Sequence, residues 1–159
     1  MSEKSEILKE YAEYIFESLQ NTNKDLTEKE IDWKPVPESN NIRWILNHLA
    51  RIANVSLPRI IKGDLEYVPE GWPADYRDKT HTLEKMVSDI EKGKKAVVEG
   101  IGKLTSKDLE AEIPLWGGTR KRKTGLFAYL GELIHHRGQI AALRGDIKRR
   151  REKDPNFLK

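Results

Sequence analysis

The 159-residue sequence contains no cysteine, and only 37% of its residues are hydrophobic. The lack of cysteine excludes a disulfide framework, a thiolate metal site and a cysteine nucleophile. Any metal must therefore be bound by nitrogen and oxygen ligands. No apolar run approaches the roughly 18 residues needed to cross a bilayer, and the charged segment 1–10 lacks the apolar stretch of a signal peptide. These absences predict a cytoplasmic protein with no membrane partner.

Charged residues are abundant, at 35% of the chain, but they nearly cancel to a formal net charge of +3. Such a balance predicts solvated helix faces rather than a nucleic-acid footprint. Two short basic runs, 120–123 and 148–151, fit the same interpretation. The length suits one domain with one core. We predict that residues 1–148 form this domain and that residues 149–159 form a basic C-terminal tail.

Four segments carry apolar residues three and four positions apart, which is typical of helices that bury one face. They span residues 3–21, 41–62, 82–101 and 125–147. Segments 112–115 and 119–123 could pair as a short hairpin, but no strand run is long enough for a larger sheet. The sequence therefore predicts an all-α fold, a four-helix bundle with long connectors.

Several residues predict where these helices begin, end or bend. The N-caps expected are Asn40 or Asn41 for the second helix, Thr80 or Thr82 for the third and Thr124 for the fourth. Thr27 and Glu30 form a capping-box pattern that could start one turn of helix in the first connector. Gly63 is a stop signal, and Pro58 predicts a kink or an early end near Leu57. In the first helix the expected core stripe is Ile7, Leu8, Tyr11, Tyr14, Ile15, Ser18 and Leu19.

The fourth helix places a histidine in a core position. Residues at alternating spacings of four and three form an inward seam: Tyr129, Leu133, His136, Ile140, Leu143 and Ile147. At about 100° per residue, Glu132 lies about 40° from His136 and one turn away, so the two side chains can converge. His135 points about 100° away and is not part of this pair.

A second inward histidine is expected on the second helix. His48 has Trp44, Ile45 and Ile52 among its neighbours three and four positions away, so it also faces the core. Two histidines and Glu132 inside one bundle suit a metal site, and three protein ligands leave coordination positions open for substrate. Spacing alone leaves open the commoner alternatives, which are a hydrogen-bonded core histidine or a buried His–Glu pair.

The runs Trp44-Ile45-Leu46-Asn47-His48-Leu49 and His135-His136-Arg137-Gly138-Gln139-Ile140 resemble the signature pair of the DinB-like superfamily. The resemblance implies a four-helix bundle holding a divalent ion, zinc or nickel first and iron or manganese as alternatives. It implies one histidine ligand on the second helix and two on the last. Those positions fall on His48, His136 and Glu132, so this chain has a carboxylate, a harder ligand, where the family has a histidine.

The resemblance also implies a function. Members of the superfamily include thiol-dependent S-transferases, and metal-dependent hydrolysis is another activity proposed for them. We therefore expect an enzyme that acts on a small-molecule substrate, in which the ion activates either a water molecule or a low-molecular-weight thiol. We also expect a homodimer. No general base is evident, and Tyr129 is a candidate hydrogen-bond donor to substrate. The alternatives are a non-catalytic stress-response protein that binds metal or nucleic acid, and a bundle that has lost its function.

Other residues carry weaker expectations. Arg137 is expected to pair with a carboxylate between helices, and Gln139 to form a hydrogen bond across the bundle. The connector tryptophans either line a pocket mouth above the metal or simply cover the core; they are Trp33, Trp72 and Trp116. His81, at a helix start, is expected to be solvated.

Overall fold

The computed structural model describes residues 2–159, and most of these residues are helical. The helices are α1 (Glu3–Asn23), α2 (Glu28–Asp32), α3 (Ile42–Arg51), a π-helical segment (Ile52–Ser56), α4 (Leu57–Lys62), a 3-10 turn (Tyr76–Asp78), α5 (Leu83–Gly102), α6 (Ser106–Glu110) and α7 (Arg122–Lys153). The strands are β1 (Glu112–Leu115) and β2 (Gly118–Lys121), which pair antiparallel. The predicted all-α bundle with a short hairpin before the last helix is confirmed.

The bundle consists of four long helical units that pack in a ring. One unit is the continuous run of α3, the π-helical segment and α4, which packs against both α5 and α7, while α1 also packs against α5 and α7. Gly93 lies against Ala53, and Gly100 lies against Ile61, so α5 runs parallel to this unit. Gly125, near the start of α7, lies against Ile60, which is at the end of the unit away from His48. Helix α7 therefore runs antiparallel to the unit. The interface between α3 and α7 positions the site described below. Within residues 2–159, no helix has both the length and the apolar character needed to cross a membrane.

Side-chain caps set the start of most helices. Asn41, rather than Asn40, caps α3, and its Oδ1 accepts a hydrogen bond from Trp44 N at 2.9 Å. Thr82, rather than Thr80, caps α5. The capping box of Thr27 and Glu30 begins α2, as the sequence predicts. The cap fixes where α3 begins, and the burial of Ile45, Leu46 and Leu49 sets the face of the helix on which His48 lies.

The early end predicted near Leu57 is wrong, because the second helical unit continues to Lys62, and the irregularity expected from Pro58 takes the form of a π-helical segment. The π-helical segment absorbs the proline instead. Leu57 N bonds Ile52 O, five residues earlier, so Pro58 falls in the first turn of α4, where its missing N–H costs little. Gly63 then ends the unit with a φ of 67°, in agreement with the predicted stop.

The predicted bounds of the last helix are also wrong, since α7 begins before Thr124 and extends beyond residue 147. Its first residue, Arg122, is held from two sides, donating through Nε to Ile60 O at 3.1 Å and through Nη1 to Asp108 O at 2.9 Å. At the other end the helix continues through Arg151, which pairs with buried Glu30 at 2.7 Å. These tertiary contacts extend a helix whose own sequence signals suggest a shorter one.

The stripe predicted for α1 is only partly correct. Leu8, Ile15 and Leu19 are buried, but Ile7, Tyr11 and Tyr14 are exposed, and Ala12 and Phe16 take their places in the core. The true buried face is rotated towards the positions that contact both α5 and α7. Large apolar residues attract attention in a sequence, whereas a small alanine at a close helix contact does not.

Candidate metal centre

His48, Glu132 and His136 lie together at the interface between α3 and α7. One potential ligand atom of each residue lies within 4.8 Å of those of the other two. Glu132 Oε2 is 3.1 Å from His136 Nε2 and 3.6 Å from His48 Nε2. The face arithmetic that chose His136 over His135 is confirmed in position, since His136 is buried and His135 is exposed.

The three side chains differ in their access to solvent. The His136 side chain is 9% exposed, that of His48 is 24% exposed and that of Glu132 is 46% exposed. The cluster therefore has a buried floor and an open carboxylate edge. Glu132 is therefore the most solvent-accessible of the three side chains.

Gln139 sets the orientation of the His136 ring. His136 Nδ1 lies 2.7 Å from Gln139 Oε1, and with the amide in this orientation Nδ1 donates and Nε2 carries the lone pair. The Nε2 lone pair then points at Glu132 Oε2, itself an acceptor, at 3.1 Å. In this tautomer, a cation or a proton between the two electron pairs satisfies both acceptors. A His ligand whose other nitrogen donates to an oxygen is the usual arrangement at protein metal sites.

Two neighbours on α3 hold His48. Trp44 stacks on the His48 ring with centroids 5.4 Å apart and an interplanar angle of 21°, and it forms one wall of the cluster. Arg51 Nη2 donates to His48 Nδ1 at 3.4 Å. Burial lowers the pKa of His48, and the nearby His136 and Arg51 lower it further against the opposing effect of Glu132. Burial thus favours the neutral imidazole, which is the form that binds metals. Because Arg51 can only donate, its contact places the remaining proton on Nε2, and an ion bound at Nε2 requires this proton to move to Nδ1 and Arg51 to turn away.

The residues present fit a divalent ion. Two imidazole nitrogens and one carboxylate oxygen form a donor set common to zinc, nickel, iron and manganese sites, and with three protein ligands coordination positions remain open. The lone pairs of His136 and Glu132 already face each other, as a shared ion requires. The same geometry would also form around a proton shared by His136 and Glu132, so the experiment below measures the ion directly.

Two family-motif residues have partners that differ from those predicted. Arg137 Nε donates to Thr22 Oγ1 at 3.0 Å, so its partner is a hydroxyl and not a carboxylate. Gln139 bonds His136 on its own helix and not a residue across the bundle. The signal for Gln139 was available, because a residue three positions after an inward histidine lies within reach of its ring.

The expectation for His81 is wrong, since this residue is buried and its Nε2 donates to Tyr76 O at 2.9 Å. Trp72 stacks on Tyr76 and packs against the core, whereas Trp33 packs against Phe157 near the C-terminus. Trp116 differs from these two. It is exposed at the hairpin turn and lies 6.3 Å from the ring of Tyr129, one turn before Glu132.

The two basic runs are largely neutralised or engaged. Lys121 and Lys123 both pair with Glu110. In the second run, Arg151 pairs with Glu30, and Arg149 pairs with Asp146. These lysines and arginines therefore have acidic partners at or near the surface, while Arg122 of the first run is only 12% exposed.

Comparisons with known proteins give a consistent result. A family model described as the DinB superfamily matches residues 15–140. A conserved protein from Enterococcus faecalis has a similar structure, with a TM-score of 0.67 and 16% identity over 91% of this chain and 96% of that chain. A DinB-like protein from Bacillus subtilis also has a TM-score of 0.67, with 15% identity over 87% of this chain and 90% of that chain. At these identities the two structures show a shared fold. A comparison with curated proteins found no match.

Proposed function

The chain belongs to the DinB superfamily, and from this premise and the geometry of its site we propose that it is a metal-dependent enzyme with His48, Glu132 and His136 as the ligands. The convergence of these three side chains within 4.8 Å carries the proposal. The position of Glu132, where the resemblance places a third histidine, makes this a two-histidine, one-carboxylate variant of the site.

A divalent ion supplies Lewis acidity, which acidifies a water molecule or a small thiol at neutral pH. The protein residues provide the rest. His136, oriented by Gln139, forms a buried floor, Trp44 orients His48, and the exposed edge of Glu132 leaves room for a substrate. Because the chain has no cysteine, a thiol nucleophile must be a cosubstrate. We propose zinc or nickel as the ion and S-transfer or hydrolysis as the reaction, in the cytoplasm.

The metal content of the purified protein tests the ligand set. We expect a divalent ion in the parent, a large loss in His48→Ala and His136→Ala, and a smaller loss in Glu132→Ala because water can replace one oxygen ligand. His135→Ala is the matched control, since His135 lies next to the cluster but outside it, and it should retain the ion. A metal-free parent, or equal occupancy in all four variants, would sink the proposal.

The reaction needs a separate measurement. The metal-loaded protein should accelerate attack by a low-molecular-weight thiol on a chromogenic electrophile, or hydrolysis of an activated ester. His136→Ala should abolish the rate, and a chelator should do the same to the parent. If the loaded protein accelerates neither reaction, the metal site stands without the proposed enzymatic activity. The homodimer implied by the resemblance belongs to the same proposal, and light scattering on the purified protein tests it.

A further inference from the structure

A second cavity lies between α5, the π-helical segment and the loop before the 3-10 turn. It has a volume of about 350 Å³ and shares no residue with the metal centre. This volume falls within the range of small-molecule sites, roughly 300–1,000 Å³. Its walls are aromatic rings and prolines, contributed by Pro58, Tyr67, Pro69, Trp72 and Pro73. Its polar groups are few and lie at the floor and rim, as in many ligand sites.

The floor contains a buried carboxylate with one oxygen unused. The Asp89 side chain is only 8% exposed, and its Oδ2 accepts from Tyr76 Oη at 2.8 Å and from Lys85 Nζ at 2.9 Å. Its Oδ1 has only Lys92 Nζ nearby, at 3.8 Å, which is beyond hydrogen-bond distance. Within residues 2–159, no donor bonds this oxygen. The oxygen nevertheless keeps some solvent-accessible surface, because it is not among the fully buried atoms without a partner. Asp89 Oδ1 therefore opens into the cavity that the residue lines.

Asn54 lines the same cavity and has a second acceptor oxygen without a donor. Its Nδ2 donates to Ala50 O at 2.9 Å and to Asp89 O at 2.7 Å, so the amide is fixed with Oδ1 on its other side. No donor within the described part of the chain bonds this Oδ1. It also keeps some solvent-accessible surface, because it is not a fully buried atom. Asn54 lies in the π-helical segment, and such segments are frequent at functional sites. Two lining residues, Asp89 and Asn54, thus each have an acceptor oxygen without a donor, for which a cationic donor is the complementary group.

The charges around the cavity indicate the rest of the ligand. Two lysines, Lys85 and Lys92, and two carboxylates, Asp89 and Glu70, line it and cancel in formal charge. A ligand with a large net charge of either sign would be unbalanced there. The lysine ammonium groups lie on the solvent side of Asp89, with side chains 48% and 74% exposed, where they can meet an acidic group.

We propose that this cavity binds a small zwitterion of the α-amino acid type, with its ammonium group on Asp89 and Asn54, its carboxylate at the two lysines, and an apolar side chain between the aromatic and proline walls. The inference is independent of the metal centre.

Calorimetric titration of the full-length protein with L-phenylalanine tests the proposal. We expect binding, with at least about tenfold weaker binding of 3-phenylpropionate, which lacks the amine, and of phenethylamine, which lacks the carboxylate. No binding of phenylalanine or leucine at millimolar concentration would overturn the proposal. Equal binding of either analogue would overturn it as well.

Three variants locate the site. Asp89→Asn should weaken phenylalanine binding about tenfold, because it removes the negative charge but keeps the size of the side chain. Ala96→Trp should abolish binding by filling the cavity rim while leaving Asp89 in place. Glu99→Gln, on α5 but outside the cavity, should bind like the parent. If Asp89→Asn fails to fold, Ala96→Trp and the two analogues still decide, and unchanged binding in Ala96→Trp contradicts the proposed location.

Discussion

At the scale of single residues, the metal centre depends on partners that hold the ligands in place. His136 is fixed by Gln139, and His48 is held by Trp44 and Arg51. All three partners lie three or four positions from the ligand they contact, which is the helical neighbour distance. A ligand on a helix can therefore be oriented by the same helix that supplies it.

Gln139→Leu should lower the affinity for the divalent ion by about 10–100-fold, because His136 Nδ1–H loses its acceptor and the ring loses its orientation. Chelator competition monitored by metal content or fluorescence measures this affinity. The free energy of unfolding should change little, since Gln139 is exposed. His135→Ala is the control, because it removes the other partner of Gln139, at 3.2 Å, without touching the ligands. An unchanged affinity in Gln139→Leu would mean that core packing alone orients His136.

The three proposed ligands could be chosen from the sequence because each lies at a position whose neighbours reveal its direction. The apolar seam of the last helix determines the direction of His136, and Glu132 follows one turn before it. The partner of Arg137 could not be chosen in this way. Thr22 lies more than a hundred positions away, and spacing on one helix contains no information about the other.

At the scale of elements, the π-helical segment and α5 meet unusually closely at Gly93. A Cβ atom added to Gly93 would lie 2.5 Å from Ala53 Cβ and 2.8 Å from the Ala53 carbonyl carbon. The irregular turn that accommodates Pro58 thus approaches α5 at a position that has no side chain. The sequence predicted a disturbance at Pro58 but not its form, because a π-turn depends on what packs against it.

Gly93→Ala should destabilise the protein by about 1–3 kcal/mol, because overpacking against backbone outweighs the gain of less than about 1 kcal/mol in helix propensity. Gly138→Ala is the matched variant on α7. Its added Cβ has no atom within 4 Å, so it should stabilise the protein by about 0.5–1 kcal/mol. Urea unfolding measures both. A Gly93→Ala protein as stable as the parent would show that the two elements can move apart freely.

At the scale of the whole molecule, the four long helical units and their order were predictable, but the short helix α6, the π-helical segment and the exact helix ends were not. Caps at Asn41 and Thr82 are local signals, and both helices begin where the sequence allows. The extension of α7 depends on long-range contacts of Arg122 and Arg151. Elements defined by local chemistry can thus be predicted, while those completed by distant partners require the structure.

A cluster around Arg43 joins distant parts of the chain. Arg43 Nε donates to Asp32 Oδ1 at 2.6 Å, and its Nη2 donates to Glu28 Oε2 at 2.6 Å. Its Nη1 donates to the carbonyl of His81. Glu28 Oε1 in turn accepts from Leu83 N at 2.7 Å, at the start of α5. One guanidinium therefore connects α2, α3 and the start of α5.

This cluster predicts a pH-dependent part of the stability. Hydrogen bonding to Arg43 lowers the pKa of Asp32, and the Leu83 N–H followed by Arg43 lowers the pKa of Glu28. Both pKa values are lower in the folded state than their ordinary values, 4.5 for Glu28 and 3.8 for Asp32. The stabilisation is therefore complete above these ordinary pKa values and is lost as the pH falls through the lowered ones. Acid should therefore weaken the contribution of Arg43.

Arg43→Met should cost about 1 kcal/mol of unfolding free energy at pH 7, since the carboxylates are about half exposed and each such pair contributes little. The difference in unfolding free energy between Arg43→Met and the parent should become smaller below about pH 4. Only the contribution of the hydrogen bond from Arg43 to the His81 carbonyl should then remain. Urea unfolding at pH 7, 5, 4 and 3 measures it. Arg120→Met is the control, because Arg120 bonds only the Thr119 carbonyl, and its effect should not vary with pH. A difference for Arg43→Met that stays constant down to pH 3 would show that Arg43 stabilises the fold through packing, and not through its two carboxylate partners.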